Sequence, residues 1–269
     1  MHAARQPAVA GTFYPGRRDD LVATLDALLE RARPAVDTAL PPAKAYVLPH
    51  AGYMYSGATA ALGYAELERR RGAVSRVVLL GPTHRVPVNG LALPDAQRLL
   101  TPLGSVPVAT LEPELRSTVP QVVDSAEVHE HEHSLEVHLP FLQKALGDVE
   151  VVPLAVGRAE PDVVADVIEA LWGGPETVVV VSSDLSHYLR YDEARARDER
   201  TVAQVLRLEG LLDHEQACGA TPTNGLLVVA RRRGLTARLL GMCSSGDVVG
   251  ERRRVVGYAA IAFTEPATG

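Results

Sequence analysis

Three apolar runs in this chain, AYVLPHAGY, VVLLGPTH and VVVVSSDLSH, each end in a small polar turn that carries a histidine: His50, His84 and His187. Ligands of α/β proteins gather outside the carboxyl ends of the strands, so imidazoles delivered there from distant parts of the chain can converge on one site. Pro49 and Gly52 around His50, and Gly81 and Pro82 before His84, predict rigid turns that aim each ring. A turn histidine bonded to nearby backbone is the plainer alternative for both. Asp184 lies three residues before His187, so one helical turn would put both on one side, where the carboxylate could hold the imidazole tautomer. Asp184 as a helix N-cap is the competing reading. Late in the chain, Asp247 in the loop MCSSGD supplies a strand-tip carboxylate. Two histidines and one carboxylate with open positions describe the facial site of non-haem Fe(II) enzymes.

The run HEHEHSLEVH is the densest local cluster of titratable groups. His129, Glu130 and His133 formally match the zinc-protease pattern H-E-x-x-H. That chemistry needs a helix with both histidines on one face, and no apolar helical pattern begins before Leu135. Glu132, His133, Glu136 and His138 are expected at the start of that helix, one histidine facing the pocket as an acid or base. Cys218 precedes a predicted helix, whose N-terminus could activate a thiol, although a buried structural cysteine is the commoner case.

These residues need a scaffold. Strands are expected at Ala45–Leu48, Arg76–Leu80, Gly90–Leu93, Val106–Thr110, Val149–Val156, Thr177–Val181, Ala237–Gly241 and Val255–Phe263. Several are nearly continuous Val, Leu and Ile, as strands buried on both faces require. Helices are expected at Asp19–Arg33, Ser56–Arg71 with a serine cap, His133–Leu146, Pro161–Trp172, Asp192–Leu208 and Pro222–Arg233. Pro140 predicts a kink or late start in the third. This alternation gives an α/β fold with a central mixed, largely parallel sheet flanked by helices. Val106–Thr110 and Val255–Phe263 have no helix before them, which predicts some antiparallel pairing.

With 269 residues, 46% of them hydrophobic, the chain can bury one large core, and a single domain over 1–269 is expected. A net charge of −6 argues against a nucleic-acid surface, and the short Arg69–Arg71 and Arg252–Arg254 runs read as solvated faces. Two cysteines cannot make a disulfide scaffold and suit a reducing, cytoplasmic setting. Residues 1–10 lack the apolar core of a secretion signal, and no run approaches the ~20 apolar residues of a membrane helix.

Taken in order, AGTFYPG, LPHAGYMYSG, LLGPTH, EHSLEVHLPFL, VSSDLSH, ACGATPTNGLL, SSGD and VVGYAAIAF make the chain resemble the Memo family, the B component of the AmmeMemoRadiSam group, over almost its whole length. That family in turn resembles class III extradiol dioxygenases, which hold Fe(II) with two histidines and a carboxylate. The resemblance implies an extradiol-dioxygenase-like α/β fold and metal ligands at His50, His84 and Asp247. In some relatives the third position is a cysteine, and Cys243 is the other candidate. It implies an Asp184/His187 pair and His133 as catalytic residues, and Fe(II) as the ion, with zinc or copper as alternatives. The expected function is a metal-dependent, oxygen-using oxidoreductase acting on a small substrate. The alternative is a non-catalytic module whose pocket receives a peptide or partner protein, as animal relatives are associated with phosphotyrosine peptides, working with radical-SAM and AMMECR-type proteins.

Overall fold

The computed structural model describes residues 4–266, so the first three residues of the stretch read for a secretion signal lie outside it. Its strands are β1 (Ala45–Leu48), β2 (Arg76–Pro82), β3 (Leu91–Leu93), β4 (Arg98–Thr101), β5 (Gly104–Pro107), β6 (Val122–Asp124), β7 (Glu150–Val156), β8 (Thr177–Ser182), β9 (His187–Leu189), β10 (Thr236–Ser244) and β11 (Val255–Thr264). Helices are α1 (Arg18–Ala32), α2 (Tyr53–Leu67), α3 (Pro113–Thr118), α4 (Ala126–Glu130), α5 (Leu139–Leu146), α6 (Pro161–Ala170), α7 (Tyr191–Leu206), α8 (Ala220–Arg233) and α9 (Ser245–Val249).

The main sheet runs β10-β11-β1-β8-β2-β7-β3-β6, with β9 added against β11. Its centre, β1-β8-β2-β7, is parallel throughout. Antiparallel pairs flank it, β11 lying against both β1 and β10. Successive side chains of a strand point to opposite faces. Hence Val77, Leu79, Val178 and Val180 pack under α1, α2 and α5, while Val78, Leu80, Val179 and Val181 pack under α6, α7 and α8. Both faces being covered explains why these strands read as unbroken apolar runs.

Several boundaries differ from expectation, each for a local reason. Helix α2 begins at Tyr53, capped by Gly52, and the Ser56 hydroxyl instead bonds the Ala51 carbonyl at 2.8 Å. Pro140 imposes a late start: a 3-10 turn covers Glu136–His138, and α5 begins at Leu139 with the proline in its first turn, where a missing N–H costs nothing. Of the segment expected as one strand at Val106–Thr110, only Val106 and Pro107 lie in a strand, the end of β5, which pairs antiparallel with β4 in a small separate hairpin. Asp184 and His187 share no helical turn, because the chain is irregular after β8 and enters β9 at His187.

Candidate metal centre

The parallel centre of the sheet presents the ends of β1, β2 and β8 side by side, and the functional groups stand just beyond them. His50 follows β1 by two residues and His84 follows β2 by two. His133 comes from the loop between α4 and the 3-10 turn. The three imidazoles offer ligand atoms all within 4.8 Å of one another. His84 and His133 stack, ring centroids 4.7 Å apart. His50 meets both edge-on, at 5.2 and 5.5 Å. Phe13 closes the outer side of His133 at 4.7 Å.

Partners fix the tautomers of His50 and His84. The Ser182 hydroxyl lies 2.6 Å from the Ser134 carbonyl, which can only accept, so Ser182 donates there. Its lone pairs must then accept from His50 Nδ1–H at 2.6 Å and from His138 Nε2–H at 2.8 Å. His50 therefore turns an unprotonated Nε2 to the cavity. His138 Nδ1 is left to accept from the Tyr64 hydroxyl at 2.7 Å. Burial pushes the His50 pKa well down and that of His138 down to about 3, so both stay neutral.

His84 donates Nδ1–H to Glu132 Oε1 at 2.9 Å, leaving its Nε2 as the donor atom for an ion. Glu132 also accepts the backbone N–H of His84, and those of His133 and Ser134 at 2.8 and 2.9 Å. Burial alone would raise this carboxylate, but the bonds from His84 and the backbone outweigh it and bring the pKa to about 2. Burial lowers His133 to about 4, against the attraction of Glu132 at 3.4 Å. A charged carboxylate holding a histidine by the nitrogen opposite the ligand atom is the usual support of a bound metal. Three imidazoles are suitable donors for zinc, copper or iron.

Asp184 and Cys218 sit beside His50. Asp184 Oδ1 accepts the His50 backbone N–H at 2.8 Å, and Oδ2 lies 4.0 Å from His50 Nε2. Burial raises this carboxyl to about 7, against amide bonds from His50 and Ala51. The Cys218 sulfur stands 3.3 Å from His50 Nε2, and burial pushes its thiol pKa up, overriding any help from the nearby helix. His187 lines the same cavity, bonded to the Leu185 backbone, and burial lowers its pKa. The expected steering of His187 by Asp184 does not occur, since the carboxylate is turned to the His50 and Ala51 amides.

Asp247 requires the larger correction. It is the third residue of α9 and forms a capping box with Ser244, accepting from the Ser244 amide at 2.8 Å and its hydroxyl at 3.1 Å. Its other oxygen accepts from the Tyr191 hydroxyl. It lines a separate recess with Tyr191 and Cys243. The Cys243 sulfur contacts the Thr59 hydroxyl at 3.0 Å. Neither residue joins His50 and His84; His133 does. The signal was present in the sequence, since Glu132 and His133 are adjacent, but spacing alone does not tell an acid-base histidine from a ligand.

The rest of the HEHEH run does not join the cluster. Helix α4 stops at Glu130, so His129 and His133 share no helical face. His129 is buried against the Ala92 carbonyl at 2.7 Å, and burial lowers it to about 4. His131 is exposed. Glu136 is buried and takes donors from Arg5, Ala8, Val9 and Tyr14, which pins the N-terminal segment over the site.

Fold and site together define a layered α/β protein with a histidine-lined, metal-competent pocket at the carboxyl ends of its parallel strands. Residues 5–262 match the family described as Memo-like protein. The chain is 36% identical to a MEMO1 family protein of Thermotoga petrophila over 287 aligned residues, covering 96% of this chain and 99% of the relative. It is 34% identical to a MEMO1 family protein of Archaeoglobus fulgidus, with 96% and 99% covered, and 35% identical to one of Aeropyrum pernix, with 96% and 98% covered. The chain belongs to the Memo family. Among the described residues, no helix is long and apolar enough to cross a membrane.

Proposed function

We propose that this protein, as one Memo-like domain over 1–269, is a cytoplasmic metal-dependent oxidoreductase of a small substrate, with its ion held by His50, His84 and His133. The observation that carries the reading is the convergence of three imidazoles, of which His50 and His84 have Nδ1 engaged by Ser182 and Glu132, with Cys218 the one close neighbour of His50 Nε2. When bound, the ion would supply Lewis acidity and, as Fe(II), redox chemistry with dioxygen. The donor set has three imidazoles in place of two histidines and a carboxylate, so zinc and copper stand beside iron as candidates.

Asp184 and His187 are the proton-handling groups of this reading. A carboxyl brought to about 7 can hold or release a proton near neutral pH, and Asp184 lies within one imidazole of the ligand cluster. His187, kept neutral by burial, can accept a proton from a substrate hydroxyl through the ring nitrogen that Leu185 does not engage.

The test is elemental analysis of purified protein against His50→Ala, His84→Ala and His133→Ala, followed by anaerobic Fe(II) loading and oxygen uptake with a panel of catechols. Expected are about one ion per chain, its loss in each variant, and substrate-dependent uptake. Absence of bound metal ends the reading. Metal without uptake for any ion or substrate favours the second reading, a non-catalytic module for a peptide or for radical-SAM and AMMECR-type partners. The lack of a carboxylate among the clustered donors is the observation on that side.

A further inference from the structure

The cavity around the histidines holds about 1100 Å³ and is lined by three arginines, Arg85, Arg197 and Arg254. Arg197 is committed to Glu215 at 3.2 Å. Arg85 directly follows His84, is exposed, and its charge is felt at His133. Among the described residues, neither Arg85 nor Arg254 has an acidic partner, although ion pairs occupy Arg195, Arg207, Arg232 and Arg233 elsewhere on the surface. Of the remaining acids lining the cavity, Glu251 accepts the Arg253 backbone amide and Asp184 the His50 amide.

Beside these cations stands an aromatic group in an unusual pose. Tyr188 is 62% exposed and has φ of 60°, a conformation costly for a residue with a Cβ. Its neighbours in β9 hold it there, His187 pairing with Val256 and Leu189 with Val255 of β11. The Arg254 guanidinium lies 4.9 Å from its ring centroid, and the His187 ring meets it edge-on at 5.7 Å. Strain of this kind concentrates where a side chain must be presented to a ligand. A flat ring and two guanidiniums without an acidic partner among the described residues, all lining one cavity, match a flat body with a negative end, since a guanidinium binds a carboxylate through two parallel hydrogen bonds.

We propose that the cavity takes a planar organic carboxylate, its acid group bound by Arg85 and Arg254 and its flat body laid against Tyr188, beside the three histidines. This deepens the reading of the cavity as a substrate site and rests on it. Arg85 and Arg254 set specificity for charge, and Tyr188 sets it for shape.

Calorimetric titration of the full chain with benzoate and with benzamide, which has the same shape without the charge, tests the proposal. Benzoate should bind at least about tenfold tighter. The preference should shrink to under about threefold in Arg85→Gln/Arg254→Gln. Tyr188→Asn, a residue that tolerates the left-handed backbone, should weaken both probes alike. The preference should survive in chelator-treated protein. Equal binding of the two probes, binding of neither, a preference that outlasts the double arginine variant, or one that vanishes after chelator treatment would each overturn the proposal. A benzoate preference in a chain that holds no metal would leave this assignment standing and remove only the oxidoreductase reading.

Discussion

The Ser182 hydroxyl receives the Nδ1 proton of His50 at 2.6 Å, and that bond decides which nitrogen His50 turns to the cavity. Ser182 can play this part because its own proton is taken by the Ser134 carbonyl. If the cluster holds its proposed ion, Ser182→Ala should lower metal affinity by about 10- to 100-fold, as loss of such supporting bonds does in established metal sites. Competition against a chromogenic chelator measures it. The same change leaves Ser134, His50 and His138 each short of a partner, so urea unfolding should show a loss of roughly 1–3 kcal/mol. Unchanged affinity would show that His50 needs no orienting partner.

Glu132 and Asp247 separate the observed site from the one expected of the family. Glu132→Gln keeps an oxygen for the His133 and Ser134 amides but removes the charge that holds His84 Nδ1–H. Metal affinity should fall by about tenfold or more. Asp247→Asn should leave affinity within about threefold, because that carboxylate is spent on Ser244 and Tyr191, and its loss should cost roughly 1 kcal/mol of stability through the weakened cap. If Asp247→Asn instead releases the metal, the α9 loop must rearrange when the ion binds.

The sheet was legible because its central strands are buried on both faces and so appear as unbroken runs of Val and Leu, whose ends mark His50, His84 and Asp184 directly. Strands β4, β6 and β9 were not, being short, partly exposed and mixed in polarity, so that no apolar run marks them. Of the site, the residues on strand ends could be found, whereas the company they keep could not. The nearness of Asp184 and His187 in sequence suggested a pair, but the chain is irregular after β8, and the carboxylate instead reaches the backbone of His50, 134 residues away. Asp247 carried the right chemistry at a strand end, yet Ser244 three residues before it forms a helix cap, and the local bond won.

The N-terminal segment is tied to the site by one buried charge. The Glu136 side chain is fully enclosed and accepts from Arg5, from two backbone amides, and from Tyr14 at 2.7 Å. Arg5 also holds the His129 and Glu132 carbonyls. Removing one member of a buried ion pair strands the other, a loss of about 3–5 kcal/mol, here softened by the neutral donors that remain. Arg5→Met should therefore lower the unfolding free energy by roughly 2–4 kcal/mol, seen as a lower urea midpoint with an unchanged slope, and Arg5→Met/Glu136→Gln should recover part of the loss. If the double variant is no more stable than the single one, the stranded charge is not the cause.

His138 makes stability depend on pH in a direction that can be assigned. It is wholly buried between Ser182 and Tyr64, and burial brings its pKa to about 3, far below the ~6.5 of an unfolded chain. Between those values the unfolded chain binds a proton that the folded one does not. This contribution is therefore complete above about pH 6.5 and is lost as pH falls, at roughly 1.4 kcal/mol per unit. Asp184 acts oppositely: its folded pKa of about 7 lies above the unfolded ~3.9, so its contribution is present at low pH and is lost as pH rises through that window. His50 and His133 act in the direction of His138. The difference between wild type and His138→Gln removes the shared effects. Glutamine can still bond Ser182 and Tyr64, so the variant should be folded at pH 7. In chelator-treated protein, the wild type should lose stability relative to the variant by roughly 1.4 kcal/mol for each unit from about pH 6 down to 4. Parallel curves over that range would mean that His138 takes up its proton in the folded state, and that the Tyr64–His138–Ser182–His50 chain does not enforce a neutral ring.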